Sequence, residues 1–182
     1  KTAAFVLPVL QSFEDSRDHK RRILKVLILT PTRELAMQVG DVIKVFTRGM
    51  SKPVRTILLV GGLNINLQIR NLHHGADIAV ATPGRLLDLI RRKEINLSSL
   101  NALVVDEADK MFSMGFEKEL NELLSGLPSR RQNVLFSATM SEEVVSLTKK
   151  MMNNPVHVQT QEEAPTVETI TQRVIEVNRT NR

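Results

Sequence analysis

The 182-residue sequence contains no cysteine, no tryptophan and no tyrosine, and 6 phenylalanines are its only large aromatic side chains. Without cysteine a disulfide framework is excluded. Its 4 histidines, His19, His73, His74 and His157, have neither cysteine partners nor metal-ligand spacing, which argues against a zinc site. With phenylalanine alone available for stacking, a nucleic-acid ligand would be gripped through backbone shape and charge rather than through its bases. Apolar runs such as Val26-Leu27-Ile28-Leu29 and Ala102-Leu103-Val104-Val105 fall far short of the roughly 20 residues of a membrane span. No charged-then-apolar leader precedes a cleavage site, so a soluble, cytoplasmic setting is expected, with a nuclear or nucleolar one as the alternative in a eukaryote, and no membrane partner. The charge excess is small as well: 25 Lys plus Arg against 20 Asp plus Glu give +5 and a sequence pI near 9.8. Such an excess favours polyanionic partners but also occurs in ordinary domains.

A hydrophobic content of 42% is enough for a core in a chain of this length. Short continuous apolar runs at 26–29, 57–60, 78–81, 103–105 and 134–136 alternate with longer stretches of helical spacing. Continuous rather than alternating runs imply strands buried on both faces, which is the signature of a parallel sheet between helices. The expected fold is a doubly wound α/β domain. Such sheets bind ligands at the carboxyl ends of their strands. Those ends carry Thr30-Pro31-Thr32-Arg33-Glu34, Gly61-Gly62, Thr82-Pro83-Gly84-Arg85, Asp106-Glu107-Ala108-Asp109 and Ser137-Ala138-Thr139.

Each cluster has a chemical and a plainer structural reading. Asp106, ending an apolar strand, can hold Mg²⁺ directly or through water, and Glu107 can orient a hydrolytic water; equally, residues 106–109 can simply cap the next helix. Lys1-Thr2 opens an apolar helix as the last two residues of a phosphate-binding loop would, with the ammonium on phosphates and the hydroxyl on Mg²⁺; an ordinary terminal lysine reads the same. At Thr30-Pro31 and Thr82-Pro83 the threonine can cap a helix with proline as its first residue. With Arg33 and Arg85 close behind, both junctions suit a phosphodiester backbone. Gly61-Gly62 permits close approach of a ligand or merely a turn. Lys20-Arg21-Arg22 with Lys25, and Arg91-Arg92-Lys93, read as solvated charge, and Met111, Met114, Met151 and Met152 as core filler. Beyond about residue 159 the chain turns polar, as a linker does. Residues 173–177 look like a strand with nothing to pack on.

Taken together and in this order, Pro31 to Ala36 (Pro-Thr-Arg-Glu-Leu-Ala), Gly61-Gly62, Thr82-Pro83-Gly84-Arg85, Asp106-Glu107-Ala108-Asp109 and Ser137-Ala138-Thr139 closely resemble the DEAD-box ATP-dependent RNA helicases of superfamily 2. The resemblance implies that residues 1–159 are the first of two RecA-like domains, and that 160–182 are the interdomain linker and the start of the second. It implies ATP and Mg²⁺ as ligands. Lys1 and Thr2 would grip the nucleotide phosphates and the metal, with Asp106 on Mg²⁺ and Glu107 activating water. Asp109, Ser137 and Thr139 would couple nucleotide state to RNA grip. Pro31, Thr32, Arg33, Glu34, Gly62, Thr82, Pro83, Gly84 and Arg85 would contact RNA. The expected partners are RNA, the second domain and ribonucleoprotein components. The family's adenine-reading segment and phosphate-loop glycines would precede Lys1, so this stretch alone is expected to be inactive. The rival expectation is a non-catalytic RNA clamp or partner-binding module on the same fold.

Overall fold

The computed structural model describes residues 1–15 and 22–159. Five strands, β1 (Val26–Leu29), β2 (Thr56–Leu59), β3 (Ile78–Ala81), β4 (Ala102–Val105) and β5 (Gln132–Leu135), form one all-parallel sheet in the order β2-β3-β1-β4-β5. The intervening helices are α1 (Thr2–Asp15), α2 (Arg33–Thr47), α3 (Ile65–His73), α4 (Pro83–Arg91), α5 (Ala108–Ser113), α6 (Glu117–Ser125) and α7 (Glu142–Met151). The doubly wound fold expected from the apolar runs is therefore present. None of these helices is long and apolar enough to cross a membrane.

Each strand feeds both faces because successive side chains alternate. Val26, Ile28, Ile78, Val80 and Val104 meet Phe5, Val6 and Leu10 of α1 and Val39 and Ile43 of α2. Leu27, Leu29, Ala79, Leu103 and Val105 meet the layer built by α4 to α7, including Leu86, Met111, Leu120 and Leu147. After β1 the chain leaves over the α1–α2 face towards β2; after β3 it crosses the opposite face through α4 to reach β4. The carboxyl end of β1 is thus the switch point at which connections diverge, where open α/β sheets bind ligands.

Register makes this end level. Leu59, Ala81, Leu29, Val105 and Leu135 stand side by side across the sheet. The residues just beyond extend the ladder: Thr82 donates its N–H to Leu59, Thr30 to Ala81, Asp106 to Leu29 and Phe136 to Val105, at 2.8 to 3.0 Å.

Several expectations need correction. β5 covers 132–135 rather than 134–136 and β2 56–59 rather than 57–60, because their ladders start from polar residues, Gln132, Asn133 and Thr56, that apolar runs do not mark; β4 begins one residue early, at Ala102. Only β1 and β3 are buried at every position; β2 and β5 lie at the sheet edges and are half-covered. Thr30-Pro31 is not a helix cap. Thr32 caps α2 through its Oγ1, which accepts from Leu35 N–H at 3.2 Å, while Thr30 is buried and donates to the Thr32 carbonyl. Thr82 and Pro83 do take the cap and first-turn positions of α4. Met111 and Met151 are core residues and Met152 packs against the core, but Met114 is exposed, lying just past the short α5. Arg91 and Arg92 are solvent-facing and paired with Glu122 and Asp88. His19, Lys20, Arg21 and the linker and strand expected within 160–182 lie outside the described residues.

Layer position sets the cost of truncation. Leu103→Ala, in a fully buried site of β4, is expected to lower unfolding free energy by about 2–5 kcal/mol. Leu135→Ala on the half-covered β5 should cost clearly less, as read by denaturant unfolding of both variants.

Candidate functional site

Where β1 and β4 end side by side, Asp106 is 4% exposed. Its main-chain N–H is committed to Leu29, and its Oδ1 accepts the Glu107 N–H at 3.0 Å. Burial pushes the carboxyl up from its ordinary range; the Glu107 N–H and the nearby Lys1 ammonium oppose that, while the Glu107 charge adds to it. The Lys1 ammonium, just before α1, therefore lies near Asp106, and Thr2 follows as the first residue of α1. Glu107 occupies left-handed backbone (φ 50°, ψ 53°), a conformation that costs a non-glycine residue about 1–2 kcal/mol. One of its oxygens, Oε2, is shielded and accepts no hydrogen bond, with the Lys110 Nζ 3.3 Å away. The plainer capping interpretation fails for Glu107, whose side chain caps nothing. Backbone strain at an acid that sits beside a second, buried acid is what a chemical site displays.

Beyond Glu107 the chain is clasped to the end of β5. Ala108 N–H donates to the Phe136 carbonyl at 3.0 Å, and Asp109 N–H to Ser137 Oγ at 3.2 Å. Asp109 Oδ2 accepts both the N–H and the hydroxyl of Thr139, each at 3.1 Å, and Ser137 Oγ donates to the Thr139 carbonyl at 2.7 Å. Burial acts to raise the Asp109 carboxyl, but the Thr139, Lys110 and Ser137 hydrogen bonds outweigh it and hold it below its ordinary range. The three residues singled out as a coupling group are thus one bonded unit.

On the other side of the switch point lies a polar rim of three segments. Gly61 N–H reaches Thr82 Oγ1 at 3.4 Å, and both Nη atoms of Arg85 donate to the Leu63 carbonyl at 3.1 Å. Gly62 has φ +75°, and a Cβ there would stand 2.9 Å from Arg33 Nη1, so Arg33 lies directly against it. Arg33 pairs with Glu34 at 2.6 Å and holds that carboxyl below its ordinary range. A Cβ on Gly84 would meet nothing within 4 Å, so the backbone there is open to a ligand. Pro31, Thr82 and Pro83 are buried beneath the rim, while Arg33, Glu34, Gly62 and Gly84 are exposed.

Gln68 lies outside the strand-end clusters and is a further residue that the site brings in. It is the one buried side chain of α3, and its amide bonds both the N–H and the C=O of Val60 at 3.1 Å. Its signal is a polar residue inside the apolar helix stripe of Ile65, Ile69 and Leu72.

The DEAD/DEAH box helicase family model matches residues 1–147. The ATP-dependent RNA helicase DeaD of Haemophilus influenzae is 44% identical over 158 residues, covering 87% of this chain and 25% of the relative. The Escherichia coli K12 DeaD is 41% identical over 172 residues, covering 94% and 27%. The DEAD-box ATP-dependent RNA helicase CshA of Bacillus licheniformis is 38% identical over 178 residues, covering 98% and 35%. The crystal structure of a DEAD box protein from the hyperthermophile Methanococcus jannaschii superposes with a TM-score of 0.75 at 38% identity, over 84% of this chain and 40% of that one. The chain spans 25% to 35% of the length of these three curated relatives.

The two acids of the site are expected to respond to pH in opposite senses. The Asp106 carboxyl lies above its unfolded value, so its ionisation penalises folding increasingly as pH rises past about 3.9. In metal-free buffer Asp106→Asn should raise Tm at neutral pH, and the gain should vanish on acidification. Asp109 lies below its unfolded value, so it stabilises at neutral pH and that contribution is lost as pH falls through the folded-state value. Asp109→Asn should lower Tm at neutral pH, with the difference closing in acid. Thermal melts across a pH series check both.

Proposed function

The chain belongs to the DEAD/DEAH box helicases, and from that premise we propose that it is the first RecA-like domain, residues 1–159, of an ATP-dependent RNA helicase acting in the cytoplasm. In this proposal 160–182 lead into a second RecA-like domain, without which this stretch is inactive. The intact protein hydrolyses ATP with RNA stimulation and separates or remodels short duplexes, working with ribonucleoprotein components. The observation that supports this best is the level row of strand ends, which sets a buried acid beside a rim of arginines and glycines.

Among the described residues no group of three or more His, Cys, Asp or Glu could hold a metal ion. The donor set instead suits Mg²⁺, which binds through one or two carboxylates and fills its shell with water and phosphate oxygens. Asp106 and the Thr2 hydroxyl would hold it, and when bound it supplies neutralising charge to the nucleotide phosphates. Lys1 holds the phosphates. Glu107, whose Oε2 is held by Lys110 at 3.3 Å, orients the hydrolytic water and takes its proton. The Asp109-Ser137-Thr139 unit reports what happens at residues 106–107 to the end of β5, and so to whatever docks there.

RNA lies along the rim. Arg33 and Arg85 face phosphates, Thr32, Glu34 and Gly62 contact the sugar-phosphate chain, and Gly84 admits it closely. Pro31, Thr82 and Pro83 hold the backbone of the rim in shape from beneath. None of these groups reads a base edge, so recognition is largely independent of sequence.

RNA-stimulated ATP hydrolysis by the intact protein tests the proposal. Glu107→Gln should lower turnover by about 10²–10⁴-fold, the span of general-base catalysis, with RNA binding retained. Tight RNA binding without turnover in the unaltered protein would instead identify a clamp. Arg85→Ala should weaken binding evenly across RNA sequences and reduce the salt slope by about one.

A further inference from the structure

A glutamine is an unusual choice for the single buried side chain of a surface helix, since buried polar groups are retained only where their hydrogen bonds are met. Gln68 is 5% exposed. Its Oε1 accepts the Val60 N–H and its Nε2 donates to the Val60 carbonyl, both at 3.1 Å. Val60 follows the last residue of β2, an edge strand of the described sheet. Leu59 turns its carbonyl to Thr82 beyond β3, so the next residue directs its N–H and C=O away from β3, to the side where none of the described strands lies beside β2. The side-chain amide thus replaces a neighbouring strand for one residue.

Val60 is also where the chain stops being strand and becomes rim. Gly61, Gly62 and Leu63 follow at once. These three bond Thr82 Oγ1, lie against Arg33 and hold the Arg85 guanidinium. Asn64 then starts α3 by accepting from Asn66 and Leu67 N–H, and α3 carries Gln68 back onto Val60. The loop is therefore closed at both ends within nine residues, with Gln68 as its fastening.

We infer that Gln68 is a positioning residue for RNA binding: by pinning Val60 it fixes Gly61 to Leu63, and through them the orientations of Arg33 and Arg85. This rests on the RNA-binding role proposed for the rim. Gln68 touches no ligand itself. Its loss raises the RNA concentration needed for half-maximal ATPase stimulation about tenfold and leaves the half-saturating ATP concentration at saturating RNA within about twofold, because Asp106 and Glu107 lie across the switch point from it.

Three variants of the intact protein test this against the unaltered form: Gln68→Leu, Gln68→Glu and Arg85→Ala. Gln68→Leu abolishes both bonds. Gln68→Glu keeps only an acceptor when ionised, but its protonated acid accepts and donates as the amide does, and burial raises its pKa. RNA half-saturation for Gln68→Glu should therefore recover towards the unaltered value between about pH 8 and about pH 6, while Gln68→Leu shows no such recovery. That recovery requires a folded protein and is not produced by general destabilisation. Unchanged RNA half-saturation in Gln68→Leu, or an equal loss in ATP and RNA, overturns the inference; so does a Gln68→Glu defect indifferent to pH. If Arg85→Ala weakens RNA binding while Gln68→Leu does not, the inference alone falls. If neither does, the proposed RNA role of the rim falls with it.

Discussion

Everything at the ligand edge depends on hydrogen bonds made one residue past the strands. Thr82, Thr30, Asp106 and Phe136 each give a main-chain N–H to the last residue of the neighbouring strand. Those bonds set the ends of the strands, and the residues that follow them, at a common level along the edge of the sheet. A shift of one residue in any pairing would send a chemical side chain into the core and bring an apolar one out. The apolar interior of β1, β3 and β4 resists that slip, since all but one of their residues are buried. Packing in the middle of the sheet thus sets position at its end.

The interior strands were legible because burial on both faces leaves a continuous apolar run. The edges were not: β5 begins with Gln132 and Asn133 and is half-covered, so nothing in its composition marks where pairing starts. The order and chemistry of the strand-end clusters were likewise readable, as was the resemblance they carry. What one-dimensional reading could not supply is which clusters become neighbours. Arg85 on the Leu63 carbonyl, Arg33 against Gly62 and Gln68 on Val60 all depend on strand order. Thr30-Pro31 misled for a local reason: two threonines flank the proline, and it is the second that caps α2.

The acidic cluster divides its tasks by environment. Asp106 is buried, with the Lys1 ammonium opposing the cost of its burial; Glu107 is held in strained backbone with its Oε2 paired to Lys110; and Asp109 is engaged with Thr139 through two hydrogen bonds. Three acids within four positions therefore differ in what surrounds them. Ordinary helix capping would have treated them alike.

Strand order also governs how the chain comes into being. Among the described strands β1 is synthesised first, yet both of its described neighbours, β3 and β4, come later, and β2, which follows β1 in sequence, pairs with β3. At about 5–20 residues per second of translation, the run Val26–Leu29 stays without a partner for seconds after it leaves the ribosome. A fully apolar segment waiting that long is a natural ligand for a chaperone. The central strand of the five described is, during synthesis, the one of them most in need of shelter.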